Sequence, residues 1–386
     1  MDRLGWSVCA EPLARIPLAL DEPTPGEDPP AHDISAAAAV GETLFLGADE
    51  TASLEVLHRT DAGYAEHRRI ELCRAFDLPG GDSEMDIEGL AIADGWLWVV
   101  GSHSLTRKKP KKGKPLDEKG VSRLAGLKDN HNRMFLARLP LRSLEGGGRW
   151  DICLAEHEGR RPQMLPVGKH VSPLFRLLRD DPLIGPFAAI PAKENGVDVE
   201  GIVVDGRRVG LGLRGPVING WSLIVEVEVQ GSGADLELKG GLTRHFLDLG
   251  GLGVRDLKRR GDEVLILAGP TMKLDGPARV FRWRDWKNPS STGDLLHRPQ
   301  AILELPFGSG CDHPEAMAAV AHASAEGLLV VCDTPAPRRF AAGGVFCDVF
   351  PMPRAGGGGE LPEAAAPLEV AQPSAFATQA ERPRRP

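Results

Sequence analysis

The feature that most constrains this chain is a short segment that occurs twice with almost the same residues. The first copy is Asp86-Ile87-Glu88-Gly89 and the second is Asp198-Val199-Glu200-Gly201. An apolar run, a turn and a second apolar run follow each copy, ending at Gly101 and at Leu213. Recurrence of such a unit predicts a repeat architecture built from short strands.

Three further segments resemble these starts, and each begins a group of predicted strands. We place the five starts near residues 32, 86, 198, 252 and 313. Four short strands are the content of one propeller blade. The sequence therefore predicts an all-β fold, a β-propeller with five blades, and a sixth blade within 156–197 is the alternative.

The last group lacks its final strand, and the N-terminal segment supplies a candidate for it. Residues 13–20 have the apolar pattern of the fourth strands elsewhere. An open ring would leave strand edges that invite aggregation. We therefore predict that this N-terminal strand completes the last blade and closes the ring.

Two insertions interrupt the repeats. Residues 105–132 are polar and include six cations in the eight residues 107–114. Residues 169–184 predict one short inserted helix, because Ser172 is suited to cap it and Pro173 to occupy its first turn. The basic run is interpreted as a solvated loop, with a flap that attracts an anionic substrate to the mouth as the alternative.

Composition limits the domain organisation and the classes of function. Residues 1–354 are predicted to form a single propeller domain, and residues 355–386, rich in proline, alanine and glycine, a disordered tail. The formal net charge of −8 argues against a general nucleic-acid binder. No segment reaches the roughly 18 apolar residues of a membrane helix and no signal-peptide pattern is present, so a cytoplasmic location is expected.

The six cysteines are scattered singly along the chain. They lack the close pairs of a zinc site, and a chain of this length does not need a disulfide framework. We interpret them as buried free thiols.

Alignment of the five starts predicts a ring of polar side chains. The position of the second acid holds, in order, Ser35, Glu88, Glu200, Arg255 and Glu315. Two residues earlier stand Asp33, Asp86, Asp198, Gly253 and His313. The first strand of each blade lines the channel and residues two apart share a face, so these side chains are expected to converge on one mouth.

Carboxylates that converge in this way destabilise one another unless they are compensated. One compensation is a hard cation, calcium or magnesium, which binds carboxylate oxygens; its candidate ligands are Asp86, Glu88, Asp198, Glu200 and Glu315. The other compensation is Arg255 together with Arg214. A structural interpretation stays open, in which the acids accept hydrogen bonds from neighbouring blades and hold the ring together.

The second strands are predicted to end at the same rim, with Asp49, Ser102 and Arg214 among their last residues. His103 and His313 are candidate general acids or bases, and Glu88 is the third candidate catalytic residue. Arg214, Arg255 and Ser102 are candidates for substrate binding. No nucleophile elbow surrounds Ser102, so serine catalysis is not predicted.

These motifs resemble the bacterial family known as domain of unknown function 3616. The resemblance covers roughly residues 30–350 and includes Gly253-Val254-Arg255-Asp256 and His313-Pro314-Glu315. It implies a propeller without an established activity. More distantly, the starts are similar to those of phytase-like esterase propellers, and the architecture to calcium-dependent lactonase propellers. Ser35 and Arg255 depart from the acidic pattern, which argues against a symmetric calcium ring.

The sequence thus leads to two main hypotheses of function. The first is a metal-dependent hydrolase of phosphoesters, or of esters and lactones, that acts on a small anionic molecule at the channel mouth. The second is a non-catalytic propeller that binds a ligand or a protein partner there. RNA contact through the basic run is a third hypothesis, but no aromatic residues interleave with its cations, so a stacking surface is not indicated.

Overall fold

The fold is known from a computed structural model, which describes part of the chain. It covers residues 9–352 except 22–29, 82, 109, 111–115, 129, 168–170, 285, 287–294, 323–324 and 342. The predicted disordered tail, 355–386, and most of the basic run lie outside the described residues.

The described strands fall into five sets of antiparallel neighbours. β1 (Ala14–Ala19) precedes the first set, which contains β2 (Ile34–Val40), β3 (Thr43–Ala48), β4 (Ser53–Arg59) and β5 (Tyr64–Glu71). The second set begins with β6 (Ile87–Ala93) and β7 (Trp96–Gly101), continues through an insertion with β8 (Thr106–Arg107), α1 (Glu118–Ala125) and β9 (Leu127–Lys128), and ends with β10 (Leu136–Ser143), β11 (Trp150–Ile152) and β12 (Gln163–Met164).

The remaining elements follow in the same way. α2 (Pro173–Asp180) precedes the third set, β13 (Asp198–Asp205), β14 (Arg208–Ile218), β15 (Trp221–Ser232) and β16 (Asp235–Leu247). The fourth set contains β17 (Gly253–Arg260), β18 (Glu263–Gly269), β19 (Ala278–Trp283) and β21 (Gln300–Leu305). The short strand β20 (Leu296–His297) comes before β21 in the chain and pairs with β16 of the third set. The fifth contains β22 (His313–His322), β23 (Ala325–Asp333), β24 (Phe340–Ala341) and β25 (Gly344–Pro351).

The first strands of the five sets contact one another in a closed cycle, β2, β6, β13, β17, β22 and β2 again. The second and third strands of each set pair outward from this cycle. First strands around a shared axis with sheets radiating from them form a β-propeller, as predicted. The described part of 156–197 contributes β12, which pairs with β10 of the second set, and α2, the predicted inserted helix.

β1 closes the ring. It pairs antiparallel with β25, from Ala14 opposite Val349 to Ala19 opposite Gly344. Leu18 also pairs with Tyr64 of β5, so β1 joins the fifth set to the first. The prediction for residues 13–20 is confirmed, and the edge of β25 is covered rather than left open.

Each first strand carries a β-bulge at the same repeat position. In β6, Ile87 pairs with Gly101 and Gly89 with Val100, so the intervening Glu88 has no partner residue. The other four first strands skip one residue in the same way, at Ser35, Glu200, Arg255 and Glu315. A bulge re-aims the side chain of the extra residue. The five residues aligned from the sequence therefore all lie at equivalent β-bulges.

α2 begins as its sequence predicts. Ser172 is its N-cap, and its hydroxyl accepts a hydrogen bond of 3.1 Å from the backbone N–H of Phe175. Leu174, Phe175 and Leu178 are buried in an apolar cluster with residues of the second and third sets. None of the described helices is long and apolar enough to cross a membrane.

The six cysteines are free, but they are not all buried. Cys332 and Cys347 are buried on the fifth set, as predicted, Cys153 and Cys311 are only half-buried, and Cys9 and Cys73 are exposed. The prediction is wrong for these two because Cys9 lies before β1 and Cys73 lies in a 3-10 turn after β5, not on a strand face that packs against a neighbour.

His67 connects the end of the ring-closing segment to the first set. Its Nε2 lies 2.6 Å from Glu55 Oε2, and its Nδ1 lies 3.0 Å from the backbone nitrogen of Asp21 and 3.2 Å from Asp21 Oδ2. Burial lowers the pKa of His67, but the hydrogen bonds and charges of Glu55 and Asp21 outweigh it, so the pKa is raised.

We expect protonated His67 to stabilise the closed ring in mildly acidic solution. A histidine whose pKa is raised by folding contributes stability below its unfolded pKa, about 6.5, and loses it as the pH rises through the folded value. In urea titrations at about pH 6 and about pH 9, on either side of these pKa values, wild type should lose more unfolding free energy between the two pH values than His67→Gln does. His157→Gln, at a histidine whose side chain is 35 % exposed, is the control, and identical losses in all three proteins would contradict this role.

Candidate functional site

The bulge residues of the second to fifth sets converge on one mouth of the channel. One carboxylate oxygen from each of Glu88, Asp198 and Glu200 lies within 4.8 Å of the others. Arg255 joins the group, with Nη2 at 2.7 Å from Glu315 Oε2. The predicted convergence is confirmed for these residues, and their side chains are buried.

Two arginines neutralise one half of this ring. Arg255 Nη1 lies 3.0 and 2.8 Å from the two oxygens of Glu200. Arg214 Nη1 lies 2.6 Å from Glu200 Oε1, and its Nη2 contacts Asp198 Oδ2. Burial lowers the pKa of Arg214, yet the charges of Asp198 and Glu200 hold that pKa well above its usual range. Internal compensation, one of the two proposed from the sequence, therefore operates here.

Glu88 lies in the other half of the ring and has no such partner. It is only 6 % exposed, and no described residue forms a hydrogen bond or an ion pair with its carboxylate. Burial raises the pKa of Glu88, and the charges of Asp49, Glu200, Asp86 and Asp198 raise it further, well above its usual range. A carboxyl group in this position either holds a proton or receives a cation from outside the chain.

Asp49, at the end of β3, faces the same uncompensated space. One oxygen from each of Asp49, Asp86 and Glu88 lies within 4.8 Å of the others. Asp49 Oδ1 is buried without a hydrogen-bond partner among the described residues. Burial, followed by the charge of Asp86, raises the pKa of Asp49 well above its usual range.

The sequence placed Asp49 at the rim but not among the ligands. A signal was available, because the first set has Ser35 where three other sets have glutamate. Ser35 instead donates a hydrogen bond to the carbonyl oxygen of Ile87 in the second set. The carboxylate missing from the first strand is thus supplied by the neighbouring strand.

Asp86 is partly compensated by an arginine that sequence reasoning missed. Arg133 Nη1 lies 2.9 Å from Asp86 Oδ2, and its Nη2 contacts Glu84. Burial raises the pKa of Asp86, while Arg133 and the Ser102 hydroxyl oppose the rise. Asp86 also has a left-handed φ of 61°; such strain in a non-glycine residue occurs preferentially at functional sites.

Ser102 is engaged in contacts between the second and third sets. Its hydroxyl accepts a hydrogen bond of 2.9 Å from Ser104 and also bonds Asp86, and its carbonyl oxygen accepts one of 2.8 Å from the backbone N–H of Val199. A substrate contact by Ser102 stays a prediction, and it would replace one of the hydroxyl's present partners.

The two candidate histidines lie in different surroundings. His103 is fully buried; its Nδ1 donates to the carbonyl oxygen of Gly101 at 2.9 Å, and its Nε2 has no partner among the described residues. Burial lowers the pKa of His103 to about 4, so the ring is neutral at pH 7. His313 Nε2 instead lies 2.9 Å from Asp275 Oδ1, in a loop that is partly exposed.

Asp256, which is not one of the predicted site residues, accepts a hydrogen bond from a neighbouring set, the structural role that the sequence left open for the ring acids. Asp256 Oδ2 accepts a hydrogen bond of 2.8 Å from the backbone N–H of Met317 in the fifth set, and its Oδ1 lies 2.6 Å from Lys258 Nζ. Lys258 Nζ also donates to the carbonyl oxygen of Leu90 at 3.1 Å. The fourth and second sets are not neighbours in the cycle, so Lys258 reaches across the channel.

The fold and this mouth define a β-propeller with a buried acidic site at one end of its axis. Residues 33–348 match the family model described as "Protein of unknown function (DUF3616)", and the chain belongs to this family. The resemblance drawn from the motifs is confirmed. No curated protein matches the chain.

Solved structures with a similar fold are distant. They include Myxococcus xanthus glutaminyl cyclase (8 % identity, 88 % of this chain and 94 % of that chain, TM-score 0.40). The major Malassezia sympodialis allergen Mala s 1 has 12 % identity over 87 % and 95 % of the chains, with a TM-score of 0.40. An exo-1,5-alpha-L-arabinanase from a bovine ruminal metagenomic library has 12 % identity over 83 % and 92 %, with a TM-score of 0.36. Likeness at this level carries no argument about activity.

Proposed function

We propose that this protein is a metal-dependent hydrolase of phosphoesters, or of esters and lactones, with its site at the channel mouth. The observation that carries the proposal is Glu88, a buried carboxyl group beside four other carboxylates and without a cationic partner among the described residues. An uncompensated buried charge is costly. A divalent cation would remove that cost and gain oxygen ligands.

Asp49, Asp86 and Glu88 are the residues that would hold calcium or magnesium. They fit because they offer three hard carboxylate oxygens within 4.8 Å of one another, and because Asp49 Oδ1 is otherwise unpartnered. When bound, such a cation polarises a substrate oxygen and lowers the pKa of a coordinated water.

The predicted ligands Asp198, Glu200 and Glu315 would form the remaining acidic wall. Their carboxylates contact Arg214 or Arg255, so these arginines fix the wall in place. Their predicted role in anion binding would require each arginine to release one of these buried carboxylates. Nε2 of neutral His103 is the nitrogen at which that residue accepts a proton.

The proposal is tested by metal content and turnover together. Full-length protein equilibrated with calcium or magnesium should retain about one ion per chain, as one group of carboxylate ligands implies. Hydrolysis of a panel of aryl phosphates, aryl esters and lactones should cease with chelator and return with metal. Activity that survives complete removal of metal would refute it.

Cation binding should release protons. The pKa values of Glu88 and Asp49 are raised, so without a cation these groups keep their protons to a higher pH than ordinary carboxyl groups do, and a metal must displace those protons. Affinity should therefore increase as the pH rises through those pKa values. Calorimetry in two buffers of different ionisation enthalpy measures the released protons, and a binding enthalpy independent of the buffer would contradict the assignment.

A non-catalytic binding propeller is the second candidate function. The observation that favours it is the exposure of three large apolar side chains, Met272, Leu274 and Phe307, in the segments that follow β18 and β21. Exposed apolar groups of this kind suit contact with a protein partner. A protein that binds metal yet turns over no member of the panel would support this function over hydrolysis.

A further inference from the structure

An anionic substrate needs an accessible cation at the mouth, and the ring arginines are poorly placed to serve. Arg214 and Arg255 are 7 % and 9 % exposed, and both terminal nitrogens of each contact carboxylates. Arg133, 4 % exposed, is engaged by Asp86 and Glu84 in the same way. Binding a substrate through any of them would break a buried ion pair, which is costly.

Lys193 differs from these arginines in exposure and in pairing. It lies in the 3-10 turn Ala192–Glu194, just before Asp198 at the start of β13, and its side chain is exposed. No described residue forms an ion pair or a hydrogen bond with its ammonium group. Burial raises the pKa of both Asp86 and Asp198, and the charge of Lys193 is among those that oppose the rise. Lys193 is therefore within electrostatic reach of both acids.

The turn that carries Lys193 is anchored on both sides. The backbone N–H of Ala192 donates to the carbonyl oxygen of Leu105 at 2.8 Å. Glu194 accepts two hydrogen bonds from Arg107, one of them 2.6 Å long. These contacts fix the turn against the segment that follows Ser102, at the rim of the mouth.

A second anchor follows directly in the chain. Asn195 Oδ1 accepts a hydrogen bond of 2.9 Å from the backbone N–H of Val217 in β14, and Asn195 has a left-handed φ of 66° that ends the turn. The position of the Lys193 backbone is thus set by two structural elements. A backbone that is already fixed loses less freedom when the side chain that it carries binds a ligand.

We propose that Lys193 recognises the negative charge of the substrate, and that the substrate is a phosphoester rather than a neutral ester or lactone. This inference rests on the proposed hydrolase function and names its substrate class. An ammonium group binds phosphate as a flexible point charge with three donors. The cation held by Glu88, Asp49 and Asp86 and the ammonium of Lys193 would then attract the same phosphate group.

The test compares Lys193→Ala and Lys193→Arg with wild type, using the metal-loaded full-length chain. For p-nitrophenyl phosphate, Lys193→Ala should raise KM about tenfold, the loss of one charge contact, with kcat and metal content little changed. Lys193→Arg should have a KM close to that of wild type, because arginine retains the positive charge. Lys239→Ala, at a lysine paired with Glu237 on β16, is the control and should match wild type.

The neutral substrate p-nitrophenyl acetate separates recognition from general damage. Whatever rate wild type shows with this neutral ester, Lys193→Ala should show the same rate. An unchanged KM for the phosphate, or an equal loss for phosphate and acetate, would overturn the assignment of Lys193.

Binding of inorganic phosphate separates this inference from the proposed function. If wild type hydrolyses nothing, the hydrolase proposal fails, and calorimetry with inorganic phosphate still decides the role of Lys193. About tenfold weaker binding by Lys193→Ala supports recognition of a phosphate group. Equal binding by both proteins, or no binding by wild type, overturns it.

Discussion

Glu88→Gln is expected to abolish cation binding and to reduce turnover by at least about 100-fold, since the metal supplies much of the stabilisation of the developing charge. The metal-free variant should nevertheless be as stable as metal-free wild type, or more stable. Glutamine keeps the shape of the side chain and removes a group whose pKa is raised by burial and by four carboxylates. Metal content, kcat and thermal unfolding of the metal-free proteins measure the three effects.

Glu226→Gln provides the matched control. Glu226 is half-buried, and it lies on β15 with Arg208 Nη2 at 2.7 Å and His245 Nε2 at 3.3 Å. Burial raises its pKa, yet the hydrogen bonds from His245 and Arg208 lower the pKa to about 2. This variant should lose stability and keep its metal. The opposite pattern, in which Glu88→Gln unfolds readily and retains metal, would show that Glu88 is structural.

Arg255→Met is expected to lower the free energy of unfolding by about 3–5 kcal/mol, the usual loss when one member of a buried ion pair is removed. Arg255 holds both Glu200 and Glu315, and its removal leaves two buried carboxylates with less compensation. Urea denaturation at neutral pH measures the loss. Glu315→Gln added to Arg255→Met should recover part of it, because one of the stranded charges is gone.

Arg284→Met, at an exposed arginine, is the control for the loss of unfolding free energy in Arg255→Met. Arg284 Nε lies 3.3 Å from Glu263 Oε1 with its side chain 45 % exposed, and Arg284→Met should cost less than about 1 kcal/mol. Comparable losses for Arg255→Met and Arg284→Met would mean that the ring pairs contribute no more than a surface ion pair.

The ring of polar side chains at the channel mouth could be predicted from the sequence because each β-bulge that forms it is a local feature of one strand. Each ring residue lies at a β-bulge, one or two positions after the first residue of its strand. Five short motifs therefore specify the directions of five side chains. The pairing of residues 13–20 with the last set was also predictable, since an incomplete blade and a spare strand occur in the same chain.

The rest of the site depends on contacts between distant segments. Asp49 comes from a second strand, Arg133 from the end of an insertion, and Lys193 from a turn before the third set, so no repeat marks them. The sequence likewise left open whether arginines or a metal compensate the acids. That choice depends on distances, and among the described residues the arginines form ion pairs with Glu200 and Glu315 but not with Glu88.

The surroundings of the two candidate histidines could not be predicted from the sequence either. The alignment placed His313 two residues before a ring glutamate, but a residue in a loop, Asp275, engages its imidazole. His103 follows Ser102 at the rim and is buried without a carboxylate partner among the described residues. Their predicted roles in proton transfer depend on where a bound substrate places its leaving group.

The position of β1 in the last blade has a consequence for biosynthesis. Its partners on β25 lie more than 300 residues later in the chain, as in the pair Ala14 and Val349, so the chain through β25 must leave the ribosome before this strand can pair with it. Until then the edge of β1 that faces β25 has no partner strand. Contacts between such distant residues form slowly, and we expect the final step of folding to be the docking of this strand, with chaperones acting chiefly during that interval.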